Sequence, residues 1–511
     1  MTAIIEFLQE LSLKGITITQ KADNLKIKGF ESKLTPEVIS KLKKYKKEIL
    51  QILQNDSDSL NTFPLSYGQN AMWFMWKVYP QRPTYNVLSS CRISCEIDVE
   101  ILKKTFQILI ERHPILGSIF PQKSDQVVQK PYQNKLPEFK HIDASNLNEK
   151  ELKEEVIKEH SQPFDIENKS VMRVCLFTCS PTDHILIFTV HHIAIDAWSL
   201  PLLIEEIINI YPELSRGEKP SLTPLKHSYL DYVFWQRKLL NSPRGEELWS
   251  YWQKKLAGDL PVINLPTDKK RPPIQTYNGS FYSFTISPQL SKQIKKLAQK
   301  QGATVYMVLL ASFQILLYHY TAQEDILIGV PTTGRTKEEF LSLVGYFVDP
   351  VVIRGNLSRN PSFSEFLAQI RTSVLEALSY QDFPFALLVE KLKPKRDLSR
   401  STIFQVFFNF ILQNLHQYPY TQKLLFGEEI ERKGLKLKPY EIPQIGGQFD
   451  LDLTIIETNS FFSGNFLYNT DLFNRETIIN SKNHFLNLLT SIINNPEEKI
   501  NQLNLLNNNR F

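Results

Sequence analysis

At 511 residues the chain exceeds what one hydrophobic core usually supports, so two or three domains are expected. Its 42% hydrophobic and 22% charged residues are ordinary for a soluble globular protein, and a net charge of +5 gives no reason to invoke nucleic acid. The start, Met1-Thr2-Ala3-Ile4-Ile5-Glu6, has no basic stretch before its apolar residues and so lacks the pattern of a signal peptide.

Residues 1–55 read as a small unit of their own. Helical apolar spacing over 4–13 leads to Gly15 and then to two alternating runs, Ile16-Thr17-Ile18-Thr19 and Leu25-Lys26-Ile27-Lys28. With Ala22-Asp23-Asn24 between them, these runs predict a β-hairpin. Thr35 before Pro36-Glu37 is the N-cap of one further helix, running through Val38, Leu42, Ile49 and Leu53. To Asn55 the unit carries ten lysines against six acids, a basic surface suited to an acidic peptide. Residues 56–63, with Asp56-Ser57-Asp58-Ser59, read as a linker.

From Pro64 strands and helices alternate, which predicts an α/β sandwich. Leu65-Ser66 starts a helix carrying Gln69, Trp73 and Phe74; a strand over 87–95 and a helix over 99–112 follow. The strand containing Met172, Arg173 and Val174 is expected to pair with the apolar run 185–190. Cys91/Cys95 and Cys175/Cys179 share strand-like segments without enough neighbouring His or Cys for a metal site. They read as buried, reduced thiols of a cytoplasmic protein. The run 185–190 ends in His191-His192-Ile193-Ala194-Ile195-Asp196-Ala197-Trp198-Ser199, and Ser199 with Pro201 starts a helix over 202–211. Two imidazoles and a carboxylate thus sit on a turn between a strand end and a helix N-terminus. Imidazole titrates near neutrality and suits general-base work; Asp196 either orients a histidine or locks the turn by pairing with an arginine.

Pro- and Gly-containing stretches at 217–224 and 258–279 separate a first lobe, 64–257, from a second, 280–511. In the second lobe, strands are expected at 280–286, 325–330, 347–353, 404–411 and 449–456. Helices are expected at 288–301, 304–320 and 363–380, with a last one from Arg475. The segment 304–320 is the most apolar in the chain, but it contains Gln314 and His319 and falls short of a membrane span, so it reads as a core helix. No Gly-rich phosphate loop precedes a helix, which argues against a nucleotide cofactor, and no metal site is expected.

The order of motifs from Pro64 to about Leu506 resembles the condensation domain of nonribosomal peptide synthetases, within the acyltransferases that carry His-His-x-x-x-Asp-Gly. Leu65-Ser66 with Gln69 and Trp73, and Arg112-His113 with Leu116 and Phe120, carry the first part of the likeness. Pro163-Phe164-Asp165 with Arg173, then Tyr229, Asp231, Tyr232, Trp235 and Gln236, continue it. Leu265-Pro266 with Asp268, Arg271 and Pro272, then Gly329 with Pro331, Gly334-Arg335 and Gly345-Tyr346-Phe347-Val348, follow in order. Gln381-Asp382 with Pro384-Phe385, and Arg396-Asp397 with Ser399-Arg400 and Phe404-Gln405, complete it. The helix–hairpin–helix unit at 1–55 similarly resembles the TubC-like N-terminal docking domain of synthetase subunits.

The resemblance implies two chloramphenicol-acetyltransferase-like α/β sandwich lobes forming a V-shaped pseudo-dimer with a tunnel between them. It implies amide formation between a donor thioester on a 4'-phosphopantetheine arm and an amine-bearing acceptor, delivered by two peptidyl carrier proteins, with an adenylation domain downstream. No cofactor is bound by the domain itself. His192 then deprotonates or holds the attacking amine, His191 packs beneath it, and Asp196 braces the turn. Trp198, Ser199 and Arg335 are supporting residues. On the docking unit, Lys26 and Lys28 are expected to meet the C-terminal segment of an upstream subunit.

Three positions depart from the family pattern. Ala197 replaces a glycine, which strains the backbone if φ is positive there. Gly117 stands where an arginine normally braces the aspartate, so Arg173 is the expected substitute partner of Asp196. Thr402 stands where proline is common. The alternatives are a catalytically silent recruitment or docking domain and an ester-forming or epimerising variant of the same fold. Heterocyclisation is disfavoured because His191 is retained. Gly446-Gly447 is followed by Gln448-Phe449 instead of a carrier motif, so both substrates are expected to arrive on other domains, as for a piece excised from a larger synthetase.

Overall fold

The computed structural model describes residues 4, 7–9, 11, 16–21, 24–28, 34–55, 62–123, 126–132, 136–412, 417–442 and 446–506. Much of the helix expected over 4–13, the hairpin-turn residues Ala22 and Asp23, and linker residues 56–61 lie outside them.

The N-terminal hairpin forms as the alternation predicts. Thr17–Lys21 pairs antiparallel with Asn24–Lys28, placing Ile18 opposite Ile27 and Thr19 opposite Lys26. Ile16 and Ile18 are buried with Ile4, Leu8, Leu11, Leu42, Ile49 and Ile52, a core of their own. The Thr35 hydroxyl accepts from the Val38 amide at 3.4 Å, the expected N-cap. One helix was expected beyond it, but two form, Pro36–Lys44 and Lys46–Asn55. They part at Tyr45, whose φ of −101° and ψ of 19° leave the helical region.

The chain folds into two compact units. The first gathers everything to Ser242 with two later excursions, Arg335–Phe347 and Tyr418–Glu441; the second takes Pro243–Gly334, Val348–Gln417 and the chain from Ile442. The division therefore cuts across the linear lobes 64–257 and 280–511: helix Pro243–Lys255 sits in the second unit, and two stretches of the later sequence return to the first. Each unit contains a six-stranded mixed sheet, in line with two α/β sandwich lobes.

In the first sheet the order is Ile430–Arg432, Leu435–Pro439, Asn86–Ile93, Asp183–His191, Met172–Ser180, Glu138–Asp143. Strand Asp183–His191 is central and almost wholly buried, which explains its unbroken apolar run. It pairs antiparallel with Met172–Ser180 as expected, with Val190 opposite Met172 and Thr189 opposite Arg173. The edge strand Glu138–Asp143 and helix Glu149–His160 were not anticipated, and neither was the strand from the Tyr418–Glu441 excursion, whose Leu437 faces Ile93. Helices Val99–Arg112 and Ser199–Ser215 share the core of this sheet.

The second sheet runs Gly279–Ile286, Phe462–Asn469, Leu451–Glu457, Val406–Leu412, Asp325–Thr332, Asp349–Asn356. Strand Phe462–Asn469 is an addition to the expected set, and the strand expected over 347–353 begins at Asp349 because Phe347 belongs to the first unit. Thr304 caps helix Val305–Thr321, which is buried from Met307 to Leu317 and packs Phe313 against Phe408 and Phe466. Among the described residues no single helix is long and apolar enough to cross a membrane. All four cysteines are free, but the expected burial holds for Cys175 alone; Cys91, Cys95 and Cys179 are half-buried.

Candidate active site

The central strand ends at His191, a single 3₁₀ turn follows over His192–Ala194, and helix Ser199–Ser215 begins five residues after Ala194. The turn is tied from within. His191 Nδ1 accepts from the Ile193 amide at 3.2 Å, which leaves the proton of the neutral ring on Nε2. The His191 ring is buried between Phe164, edge-on at 5.9 Å, and Tyr85 at 6.3 Å. Burial, helped by the nearby His192 and Arg173, pushes its pKa down to about 3, so His191 stays neutral.

His192 is arranged the opposite way. Its Nδ1 lies 2.6 Å from the Ile195 carbonyl oxygen. A carbonyl only accepts, so Nδ1 carries the hydrogen and Nε2 keeps its lone pair. Burial lowers the His192 pKa, while the Ile195 carbonyl and Asp196 pull it back in part. The half-buried ring meets Tyr346 edge-on at 5.2 Å. The result is a fixed neutral imidazole with one basic nitrogen left open.

Asp196 is held as a brace between the turn and the segment 335–347. It accepts from the Ser199 amide at 2.9 Å, the Ser199 hydroxyl at 2.8 Å and the Phe347 amide at 3.0 Å. Arg335 also donates to it, with Nη1 at 2.6 Å and Nη2 at 3.1 Å, and both side chains of this pair are buried. Burial alone would raise the Asp196 carboxyl, but Arg335, Ser199 and the Phe347 amide outweigh it and hold the pKa below the usual carboxylate range. Arg335 also donates to the Ser199 hydroxyl at 2.8 Å and the Leu343 carbonyl at 3.1 Å, and stacks over Phe347 at 4.0 Å. Trp198 donates its indole N–H to the Leu341 carbonyl at 3.0 Å. Excursion Arg335–Phe347 is thereby clamped to the turn.

Two further motif residues hold this arrangement. Ser66 and Gln69 form a capping box at helix Tyr67–Val78, and Gln69 Nε2 then donates to the Ile193 carbonyl at 3.0 Å. The Tyr229 hydroxyl donates to the Tyr346 carbonyl at 2.6 Å, and its ring lies where a Cβ on Gly345 would sit, so only glycine admits this approach. The sequence marked Gln69 and Tyr229 as motif residues without showing that they support the turn.

Two expectations need correction. Arg173 is not the partner of Asp196: its guanidinium donates to the Gln162 carbonyl at 2.6 Å and the Pro163 carbonyl at 2.9 Å, and stacks on Phe164 at 4.0 Å. Its strand position, opposite Thr189, directs it to the stretch before its own strand, and Arg335 takes the bracing role. Ala197 carries no positive φ, so no strain follows from the missing glycine. Gly117, at the end of the Pro114–Gly117 turn, has its own packing reason: a Cβ there would lie 2.5 Å from Ile110 Cγ2. Restoring an arginine as Gly117→Arg is expected to cost about 1–3 kcal/mol by overpacking, read as a lowered thermal midpoint; an unchanged midpoint would contradict the clash.

The residues expected to dock a partner, Lys26 and Lys28, are on the N-terminal hairpin. Lys26 is exposed, and the Lys28 side chain lies outside the described residues.

Comparison with known proteins supplies the remaining context. A family model described as a condensation domain matches residues 59–510, and the TubC N-terminal docking domain matches residues 4–55. One of the linear gramicidin synthase proteins of Brevibacillus parabrevis is 35% identical over 450 residues, 87% of this chain but only 8% of that protein. The chain spans a small part, 6 to 19%, of the curated relatives it matches. Among solved structures, holo-AB3403, a four-domain nonribosomal peptide synthetase bound to AMP and glycine, aligns with a TM-score of 0.80 at 22% identity, over 88% of this chain and 34% of that one. The X-domain from teicoplanin biosynthesis in complex with OxyB aligns with a TM-score of 0.78 at 23% identity, over 87% of this chain and 96% of that one; both likenesses are of fold. From the double histidine at the end of a buried central strand to the matched sequence on either side, the chain belongs to the condensation-domain family of nonribosomal peptide synthetases and carries a TubC-type docking domain at its N-terminus.

Proposed function

We propose that this chain forms an amide bond by aminolysis of a thioester, joining an acyl or peptidyl donor to an aminoacyl acceptor, each carried on phosphopantetheine by a separate carrier protein. The acceptor nitrogen attacks the thioester carbonyl, the C–S bond breaks, and the surplus amine proton leaves through His192 for the departing thiolate. The observation that carries this reading is the hydrogen bond from His192 Nδ1 to the Ile195 carbonyl, which puts the ring hydrogen on Nδ1 and leaves the lone pair on Nε2. The role of His192 is to take or hold that proton, and holding two reactants together supplies much of the remaining acceleration. His191 packs beneath as a structural partner, and Asp196 with Arg335, Ser199 and Trp198 keeps the turn in place. Arg173 fixes the stretch before its own strand through the Gln162 and Pro163 carbonyls.

The test is reconstitution: donor and acceptor carrier proteins are loaded and condensed product is sought by mass spectrometry. Amide product supports the assignment. No product from any well-matched pair favours a scaffold that only recruits partners, in the way the X-domain is found with OxyB.

The N-terminal unit is assigned to capture of the acidic C-terminal segment of an upstream subunit, with an adenylation domain downstream and the whole assembly in the cytoplasm, where free thiols persist. Lys26 and Lys28 on the second hairpin strand form the proposed contact. Charge reversal by Lys26→Glu and Lys28→Glu is expected to weaken peptide capture roughly two- to fivefold per charge, most at low salt. Unchanged affinity at low salt in a titration would remove the hairpin from the interface.

A further inference from the structure

The plane of the His192 ring is not set by its own turn alone. Histidine has only a broad preference about its outer side-chain bond. The bond from Nδ1 to the Ile195 carbonyl therefore fixes one edge of the ring and leaves it able to rock. The neighbour that meets the ring crosswise is Tyr346. Their centroids are 5.2 Å apart and their planes 89° apart, a packing that aromatic pairs favour. Both side chains are half-buried, and both belong to the first unit.

Tyr346 is held in turn by a closed chain of contacts. The Tyr229 hydroxyl donates its one hydrogen to the Tyr346 carbonyl at 2.6 Å, so it accepts from the Ser66 hydroxyl at 3.0 Å. The Ser66 oxygen accepts from the Gln69 amide at 3.1 Å, and Gln69 Nε2 reaches the Ile193 carbonyl at 3.0 Å, one residue past His192. Ser66, Gln69 and Tyr229 are all buried, where a polar group that loses its partner is costly, so the chain of bonds is kept. Gly68 supplies the last element. It lies in helix Tyr67–Val78 and has no positive φ, so its backbone conformation is open to other residues. What the position lacks is a side chain: a Cβ there would stand 2.7 Å from Tyr346 Cε1 and 3.2 Å from Cδ1. The Tyr346 ring therefore touches both the Gly68 backbone and the His192 imidazole.

We infer that Tyr346 is a positioning residue for His192: its ring, admitted by Gly68, holds the imidazole plane so that Nδ1 keeps its bond to Ile195 and Nε2 keeps one direction. The consequence for rate rests on the condensation reading given above; the contact itself does not. A reacting group displaced by about 1 Å can lose roughly 10²-fold in rate, so removing the ring should lower kcat by about 10- to 100-fold. KM for the loaded acceptor carrier should stay near its parent value, because the ring acts through His192 and not through substrate.

The experiment records the ring nitrogens of His192 by NMR in the full chain labelled with ¹⁵N-histidine, the signals being identified by their loss in His192→Ala. A neutral imidazole whose hydrogen is fixed on Nδ1 gives two well-separated nitrogen signals, and one that exchanges its hydrogen between nitrogens gives averaged ones. Separated signals are expected in the parent chain and in Tyr346→Phe, and averaged signals in Tyr346→Leu. In Gly68→Ala, which keeps Tyr346 but displaces its ring, both signals should move. With loaded carrier proteins, kcat should fall in Tyr346→Leu and recover in Tyr346→Phe to within about fivefold of the parent, with KM kept. Unchanged His192 signals in folded Tyr346→Leu overturn the inference whatever the rate, and so does a loss in Tyr346→Phe equal to that in Tyr346→Leu. Should Tyr346→Leu fail to fold, Gly68→Ala decides, and unchanged signals there overturn it. Averaged signals in Tyr346→Leu without amide product from any carrier pair would keep the positioning role and remove the condensation reading. Amide product with unchanged signals would do the reverse.

Discussion

Replacing His192 with alanine is expected to slow amide formation by roughly 10²- to 10⁴-fold, the usual contribution of a positioned general base. The reason is local. Nε2 is the basic nitrogen that the turn leaves open, whereas His191 spends its own lone pair on the Ile193 amide inside the protein. The same geometry sets the pH response. With the His192 pKa below its ordinary value of about 6.5, the imidazole is neutral at and above that pH, so the rate should be flat there and fall only in more acid solution. The variant should remain folded, losing about 1 kcal/mol for the unpaired Ile195 carbonyl. Rates from loaded carrier proteins across pH, beside a thermal melt, check both parts. A rate within threefold of the parent chain would show that proton transfer through His192 is not used.

Arg335→Leu is expected to destabilise the first unit by about 3–5 kcal/mol, because it leaves a buried carboxylate without its counter-charge. The loss spreads beyond the pair: the Ser199 hydroxyl and the Leu343 carbonyl lose a donor, and excursion Arg335–Phe347 loses its first tie to the turn. Asp196→Leu with Arg335→Leu should cost less than the two single changes combined, since no lone charge then remains. Denaturant unfolding of the four chains measures this. The Asp196 pKa is depressed in the folded state, so the stabilisation is complete above about pH 4, the unfolded carboxylate value, and is lost as pH falls through the lower folded value. A cost below 1 kcal/mol for Arg335→Leu would mean that the pair does not brace the turn.

Sequence alone determined what depends on near neighbours. Alternation over 16–28 marked a hairpin, Thr35 and Thr304 marked helix starts, and the apolar run 185–190 marked a buried strand with two histidines after it. Ordered motifs also named the family across nearly the whole chain. What only the tertiary structure decided involves residues far apart in the chain. Arg335 reaches Asp196 across 139 positions, Ile110 fills the space that makes Gly117 necessary, and strand Leu435–Pro439 joins a sheet begun at Asn86. The physical reason is one of range. Backbone propensity and side-chain periodicity act over a few residues, so they write turns, caps and faces into the sequence. Which arginine neutralises a buried aspartate depends on which segments return to the sheet, and that follows from packing the completed elements together.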